Sequence, residues 1–203
     1  MINSFFLSTM LILFAINIYI NIFIFKHAYN YCFNIKINKI NYTYILIVSF
    51  IDLLIFIKYK YSIDTIKYLL LIYLLTYLSI TDILDYLIPD FIIILIIILR
   101  LIFMIIEFDD IIYILFNALF IPFVLLIIIN IYKTLLHKDV MGGGDIKLLF
   151  VLGTYSNLFT NILILLVSCI ISLIYVLLTK KKDNIFPFGP FISISFILLT
   201  LIF

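Results

Sequence analysis

Long apolar runs separated by short polar stretches make up nearly the whole chain. Several runs approach the roughly 20 apolar residues that an α-helix needs to cross a bilayer, and they leave no room for a separate soluble domain. The pattern therefore predicts one all-α, polytopic membrane domain over residues 1–203, with about eight transmembrane helices, some of them short. The predicted segments are Phe5–Phe25, Tyr44–Ile57, Tyr68–Ile80, Phe91–Met104, Ile111–Tyr132, Leu148–Thr154, Leu158–Leu178 and Phe191–Phe203.

Composition supports the same class. Hydrophobic residues make up 67% of the chain and charged residues 12%, with a mean hydropathy of +1.37, which is too apolar for a soluble domain. The first run is not preceded by a positive region or followed by a small-residue cleavage site, so we expect a retained helix rather than a signal peptide. Cys32 and Cys169 have no CxxC spacing and are expected to be packing residues.

The positions of the lysines predict an orientation. If the N-terminus is outside, most basic residues fall in cytoplasmic loops, in agreement with the positive-inside rule, although Lys58 and Lys60 weaken the bias. The small net charge of +2 then reflects topology, and we expect no nucleic-acid partner. The prediction is a multi-pass protein of the inner (plasma) membrane that contacts membrane lipid. The cytoplasmic basic residues would be Lys26, Lys36, Lys39, Lys133, Lys138, Lys147, Lys180, Lys181 and Lys182.

Two acidic side chains lie at the edges of apolar segments and are candidates for catalytic residues. Asp145 follows the glycine run 142–144, and Asp82 ends another apolar segment. Residues without a Cβ let the backbone approach a neighbour closely or take unusual φ/ψ values. Both acids are predicted to lie at the cytoplasmic side, where two carboxyls could share a proton. One would polarise a peptide carbonyl and the other would take a proton from water, as in an aspartic protease.

Three motifs give the chain a resemblance to a known family. Residues 142–145 match the G-x-G-D signature of the type IV prepilin leader peptidases. Asp82 followed by Ile88-Pro89-Asp90 is similar to the family's first motif. Residues 187–190, Pro-Phe-Gly-Pro, resemble the segment that opens its last helix. The matches occur in the family's order and cover about residues 68–203.

The resemblance implies a function and a site. Asp82 and Asp145 would be the catalytic pair, and the substrate a prepilin or pseudopilin-like protein of type IV pilus or protein secretion systems. Its leader would be cleaved at the cytoplasmic membrane face, without a metal. Many members also methylate the product with S-adenosylmethionine, but fuller members carry a larger cytoplasmic domain where this chain has only the predicted loop 26–41. This difference argues against methylation and makes the chain similar to the short, single-domain members.

Other residues are candidates for a supporting role, and each has a structural alternative. Asp52 is an acid inside an early helix, which suggests function, but it could bond to a neighbouring helix or face a wet cleft. Lys147 could steer the ionisation of Asp145 or anchor the interface. Asp85 and Asp90 are expected to be solvated or to cap the next helix. The residues expected to shape the site are Gly142, Gly143, Gly144, Pro89, Pro187, Gly189 and Pro190.

A second class of function stays open. In a noncatalytic membrane subunit or a small transporter, the glycine run would pack helices closely and the acids would bind a cation. The two histidines, His27 and His137, lie beside lysines in predicted loops and are expected to be solvated.

Overall fold

The fold is seen in a computed structural model that describes residues 4–33, 41–136, 141–179 and 186–203. All regular secondary structure in these ranges is α-helical, which confirms the predicted class. The described helices are α1 (Ser4–Phe33), α2 (Tyr42–Tyr59), α3 (Ile63–Asp85), α4 (Asp90–Glu107), α5 (Ile111–Leu136), α6 (Gly143–Gly153), α7 (Leu158–Thr179) and α8 (Gly189–Ile202).

Several helices extend beyond the apolar runs that predict them. The largest extension at a single end is in α1, which continues through Lys26 and His27 to Phe33, so the beginning of the predicted loop 26–41 is helical. The polar end of α1 contacts α3, for example where the His27 ring lies 5.7 Å from the Tyr77 ring. Part of this loop and several predicted basic or histidine positions lie outside the described residues, namely Lys36, Lys39, His137, Lys138, Lys180, Lys181 and Lys182.

The membrane assignment rests on length and composition. Among the described residues, five helices are long and apolar enough to cross a membrane: α1, α2, α3, α5 and α7. The helices α6 and α8 have only 11 and 14 residues. Helix α4 has 18 residues but includes Asp90, Arg100 and Glu107. The chain is therefore a membrane protein with both long and short helices, and its orientation stays a prediction.

The chain divides into two compact units. In the N-terminal unit (Met1–Asp85), each of α1, α2 and α3 packs against the other two. In the C-terminal unit (Tyr86–Phe203), α6 packs against α4, α5, α7 and α8. The expectation of one domain over residues 1–203 stays a prediction, and each unit is described by itself.

The C-terminal half of the short helix α6 is buried inside the C-terminal unit. Leu148 and Val151 are fully buried, and Leu152 keeps 1% of its surface exposed. At the end of the helix, a Cβ on Gly153 would lie 2.9 Å from the Cα of Ala118 in α5. In lipid, helices associate through close packing of small residues and through polar contacts rather than through the hydrophobic effect. Gly153 allows this close packing of α5 on α6.

A polar clamp fixes the C-terminal half of α4. Arg100 is 8% exposed, and its Nε donates a hydrogen bond to the Thr154 carbonyl at 2.8 Å. Its two Nη atoms donate to Asp109 at 2.7 Å and to Glu107 at 3.2 Å. The guanidinium carbon also lies 5.5 Å from the Tyr155 ring centroid. A buried cation in an apolar helix is tolerated here because both carboxylates and a carbonyl satisfy it.

Replacing this arginine should destabilise the protein. We expect Arg100→Met to lower the free energy of unfolding in detergent by about 2–3 kcal/mol, because the Thr154 carbonyl and two carboxylates lose their donor. The matched variant Arg100→Lys keeps the charge but not the forked geometry, and should lose less. Denaturant titration followed by circular dichroism measures both. Equal stability of Arg100→Met and the wild-type protein would contradict the clamp.

Candidate active site

Asp145 lies in the first turn of α6. Gly142 is the N-cap residue with φ −68° and ψ 140°, and the Asp145 amide donates to the Gly142 carbonyl at 3.2 Å. The sequence prediction began this helix at Leu148, but α6 begins at Gly143 and includes the acid. The first turn of a helix favours negative charge, because its free N–H groups and the helix dipole point toward it. An ionised Asp145 is therefore stabilised by its own helix.

The three glycines before Asp145 differ in what surrounds them. A Cβ on Gly144 would lie 2.9 Å from the Ile88 Cβ, closer than real side chains pack, and one on Gly142 would lie 3.3 Å from Asp145 Oδ2. A Cβ on Gly143 would meet nothing within 4 Å. No described glycine has a positive φ, so the expectation of unusual backbone angles is wrong for these residues, whereas the expected close approach is confirmed. The G-x-G pattern thus has a steric explanation.

The segment before α4 packs on the same end of α6. Pro89 is the N-cap of α4, with φ −67° and ψ 126°, and Asp90 is the first helical residue rather than the predicted cap. The Lys147 ammonium donates to Asp90 Oδ1 at 2.6 Å. The side chains are 55% and 70% exposed, so this pair contributes at most about 1 kcal/mol. It still brings the Ile88-Pro89-Asp90 part of the first motif next to the glycine motif within the C-terminal unit.

Asp82 lies near the C-terminal end of α3. The predicted apolar segment ended at Ile80, but the helix continues to Asp85, so Asp82 is a helical residue and only 5% exposed. The hydroxyls of Thr81 and Ser79 donate to carbonyls of their own helix at 2.9 and 2.7 Å. The C-terminal part of α3 therefore holds a buried carboxylic acid among side chains whose hydrogen bonds are made locally.

Residues of α1 contact this end of α3, and the sequence reading missed them. His27, expected to be a solvated loop residue, is helical and its Nδ1 lies 3.3 Å from the Tyr77 hydroxyl. Cys32, expected only to pack, hydrogen-bonds to Asp85, which is the last residue of α3 rather than a loop residue. The i, i+4 spacing of His27 and Tyr31, both of which lie against Tyr77, is the sequence signal that could have indicated this face.

The remaining candidates lie elsewhere. Asp52 is fully buried, and its Oδ2 accepts from Asn21 of α1 at 3.0 Å, so the alternative of a bond to a neighbouring helix is confirmed. Pro187 precedes α8, while Gly189 and Pro190 form its buried first turn. The predicted break before the last helix is confirmed, and a role at the rim of the site stays a prediction.

The described side chains offer no preformed metal centre, since no three His, Cys, Asp or Glu residues among them cluster as ligands. Asp82 belongs to the N-terminal unit and Asp145 to the C-terminal unit. Their pairing at this point stays a prediction. Each unit provides one of these acids. Asp82 is buried near the C-terminal end of α3, and Asp145 lies at the N-terminus of α6.

Comparison with known proteins gives the family. The chain is similar to the prepilin leader peptidase/N-methyltransferase of Legionella pneumophila, with 39% identity over 72 residues, which is 33% of this chain and 25% of that protein. The chain thus matches a quarter of the length of this curated relative. No solved structure matches the chain. The model of the type IV leader peptidase family matches residues 69–177, more than half of the chain. The chain is therefore a member of the type IV leader peptidase family.

Proposed function

We propose that this protein is a membrane aspartic endopeptidase that removes the leader from prepilin-like or pseudopilin-like proteins at the cytoplasmic face of the plasma membrane. Asp82 and Asp145 are the catalytic pair. Family membership supports a peptidase, and both aspartates lie inside the residues that match the family. The curated relative is named as a prepilin leader peptidase, which supports this class of substrate.

The geometry around Asp145 carries the proposal. At Gly144 a Cβ would collide with Ile88 at 2.9 Å, and at Gly142 it would lie in tight contact with the Asp145 carboxylate at 3.3 Å. The third glycine, at the variable position, faces open space. If the glycines served only to make the backbone flexible, positions 142 and 144 would not be more crowded than position 143. This contrast supports a motif whose glycines serve the placement of the Asp145 carboxylate.

The course of the chain supports pairing of the two aspartates. Helix α3 ends three residues after Asp82, and the chain turns at Tyr86, whose φ of 55° is uncommon for a residue with a side chain. It then reaches Ile88, which packs on Gly144 directly before Asp145. Asp82 is thus only six residues before Ile88 along the chain. Ile88 in turn contacts Gly144, the residue before Asp145.

The proposed chemistry needs only these two acids and water. Two close carboxyls share one proton, because both cannot ionise at short range. The ionised aspartate takes a proton from water, whose oxygen attacks the peptide carbonyl while the protonated aspartate donates to the carbonyl oxygen. Collapse of the tetrahedral intermediate breaks the C–N bond, and a proton passes to the leaving amine. Either aspartate could begin as the base.

N-methylation of the product is not part of the proposed activity. Methyltransferase activity belongs to the name of the relative, and this chain matches a quarter of that protein. Proteolysis by an aspartate pair requires no cofactor, and S-adenosylmethionine would be needed only if methylation were retained.

Loss of either catalytic carboxyl should abolish cleavage. Asp82→Asn and Asp145→Asn should each reduce leader removal by at least about 10²–10⁴-fold, because general acid–base catalysis is lost. Asp85→Asn should have a mild effect, since its partner is Cys32 of α1. Mass spectrometry of a prepilin-like substrate co-expressed with each variant measures cleavage, and membrane fractionation checks insertion.

Three outcomes of this experiment would change the assignment. Near-full activity of either Asn variant would contradict the pair, and complete loss with Asp85→Asn would indicate the wrong acid in α3. A substrate that the wild-type protein leaves intact would favour the alternative of a noncatalytic subunit or transporter. The mass of the new N-terminus also reports whether a methyl group has been added.

The glycine motif provides a second prediction. Gly144→Ala should strongly reduce cleavage, because its Cβ would force Ile88 away from α6. Gly143→Ala is the matched control one residue earlier, and should keep near-normal cleavage because its Cβ enters open space. The same co-expression assay, with protein levels determined by immunoblotting, compares the two. Equal activities would contradict the steric explanation of the motif.

A further inference from the structure

A polar cluster is buried among the three helices of the N-terminal unit. We call it the Asp52 cluster, and it consists of Asn17, Asn21, Ser49, Asp52 and Tyr73. The side chains of Ser49 and Asp52 are fully buried, and Asn17 and Asn21 are 5% and 4% exposed. Tyr73 lies on α3 about 13 Å before Asp82 along the helix axis. The cluster is thus separate from the proposed catalytic acid on the same helix.

Hydrogen bonds of the cluster connect all three helices. The Asn21 amide of α1 donates to Asp52 Oδ2 at 3.0 Å and to Ser49 Oγ at 3.1 Å, both on α2. The Tyr73 hydroxyl of α3 donates to Asn17 Oδ1 of α1. Because lipid supplies no hydrophobic driving force between helices, such bonds are a main source of their association.

One atom of the cluster is left without a partner. Among the described residues, Asp52 Oδ1 is the buried side-chain oxygen or nitrogen that makes no hydrogen bond. An ionised carboxylate can only accept hydrogen bonds, and a buried charge without compensation is very costly. From the helices packed against it, α1 presents the uncharged Asn17 and Asn21, and α3 presents Tyr73, itself a weak acid. No described cation faces this carboxyl.

We propose that Asp52 is a proton-binding site within the membrane domain and that its carboxyl carries a proton in the resting protein. A proton on Oδ1 removes the charge, while Oδ2 remains free to accept from Asn21. A metal ion would fit less well, because a hard cation requires about six oxygen ligands and Ser49 Oγ and Asp52 Oδ2 are already bonded to Asn21. With the charge removed, the Asn21 bonds to Asp52 Oδ2 and Ser49 Oγ join α2 to α1 without a buried, uncompensated carboxylate.

The proposal has a definite pH dependence. In the unfolded chain the Asp52 carboxyl ionises freely, whereas the folded cluster retains the proton. Stability therefore decreases as pH rises above the range in which an exposed aspartate ionises, because folding must then take up a proton. Asp52→Asn is neutral and of similar shape, so it should remove this part of the pH dependence.

Infrared spectroscopy of the purified protein in lipid, with isotope-labelled aspartate, observes the proton directly. In a background with Asp82→Asn and Asp145→Asn, which removes the shared proton of the proposed catalytic pair, the protein should show a carboxylic-acid C=O band at neutral pH that is lost when Asp52→Asn is added. The control Asp64→Asn should retain it, because Asp64 is 44% exposed and paired with Lys67. A wild-type spectrum with carboxylate bands alone would overturn the proposal without any need for a variant.

Thermal unfolding of the wild-type protein and of Asp52→Asn provides the second measurement. Between about pH 5 and neutral pH, the midpoint of the wild-type protein should fall relative to that of Asp52→Asn. Parallel curves would contradict a proton at this position. If sodium raises the midpoint of the wild-type protein but not that of Asp52→Asn, the site binds a metal cation rather than a proton, and the proposal is overturned. Neither measurement depends on peptidase activity, so the result is independent of the proposed function.

Discussion

The contact between Ile88 and Gly144 is the constraint on which the candidate site depends. The space between the Ile88 side chain and the first turn of α6 admits no Cβ at position 144. This single contact fixes the segment before α4 against the residue that precedes Asp145. It also explains why a glycine is needed there although its backbone has ordinary helical geometry. The position of the carboxylate is thus a consequence of packing rather than of backbone strain.

In each unit, buried polar contacts add to close packing in fixing the arrangement of the helices. The Arg100 clamp ties the end of α4 to the turn after α6, and the Asp52 cluster joins α1, α2 and α3. Both use charged or polar groups that would be costly in lipid if left alone. Each unit therefore combines an apolar surface suited to lipid with a small number of buried polar contacts that determine how its helices are arranged.

The sequence predicted the helices well and their ends and partners less well. Hydropathy finds apolar runs, but α1 continues through His27, whose ring contacts Tyr77 of α3, and hydropathy does not register such polar helical turns. The pairs Lys147–Asp90 and Cys32–Asp85 join residues distant in sequence, so they follow from tertiary packing alone. The importance of the glycine run was evident from its position beside an acid, whereas the different roles of its three members required the surrounding atoms.

Pairing of Asp82 with Asp145 is tested most directly by cross-linking. The variant would carry Asp82→Cys and Asp145→Cys in a background with Cys32→Ser and Cys169→Ser, and would be treated in membranes with a short cross-linker that has two thiol-reactive groups. The proposed pair predicts an intramolecular link, detected by mass spectrometry of the digested protein. A control with Asp64→Cys in place of Asp82→Cys puts the first thiol about 27 Å away along α3 and should not link. No link between positions 82 and 145, or equal links in both proteins, would contradict a catalytic pair.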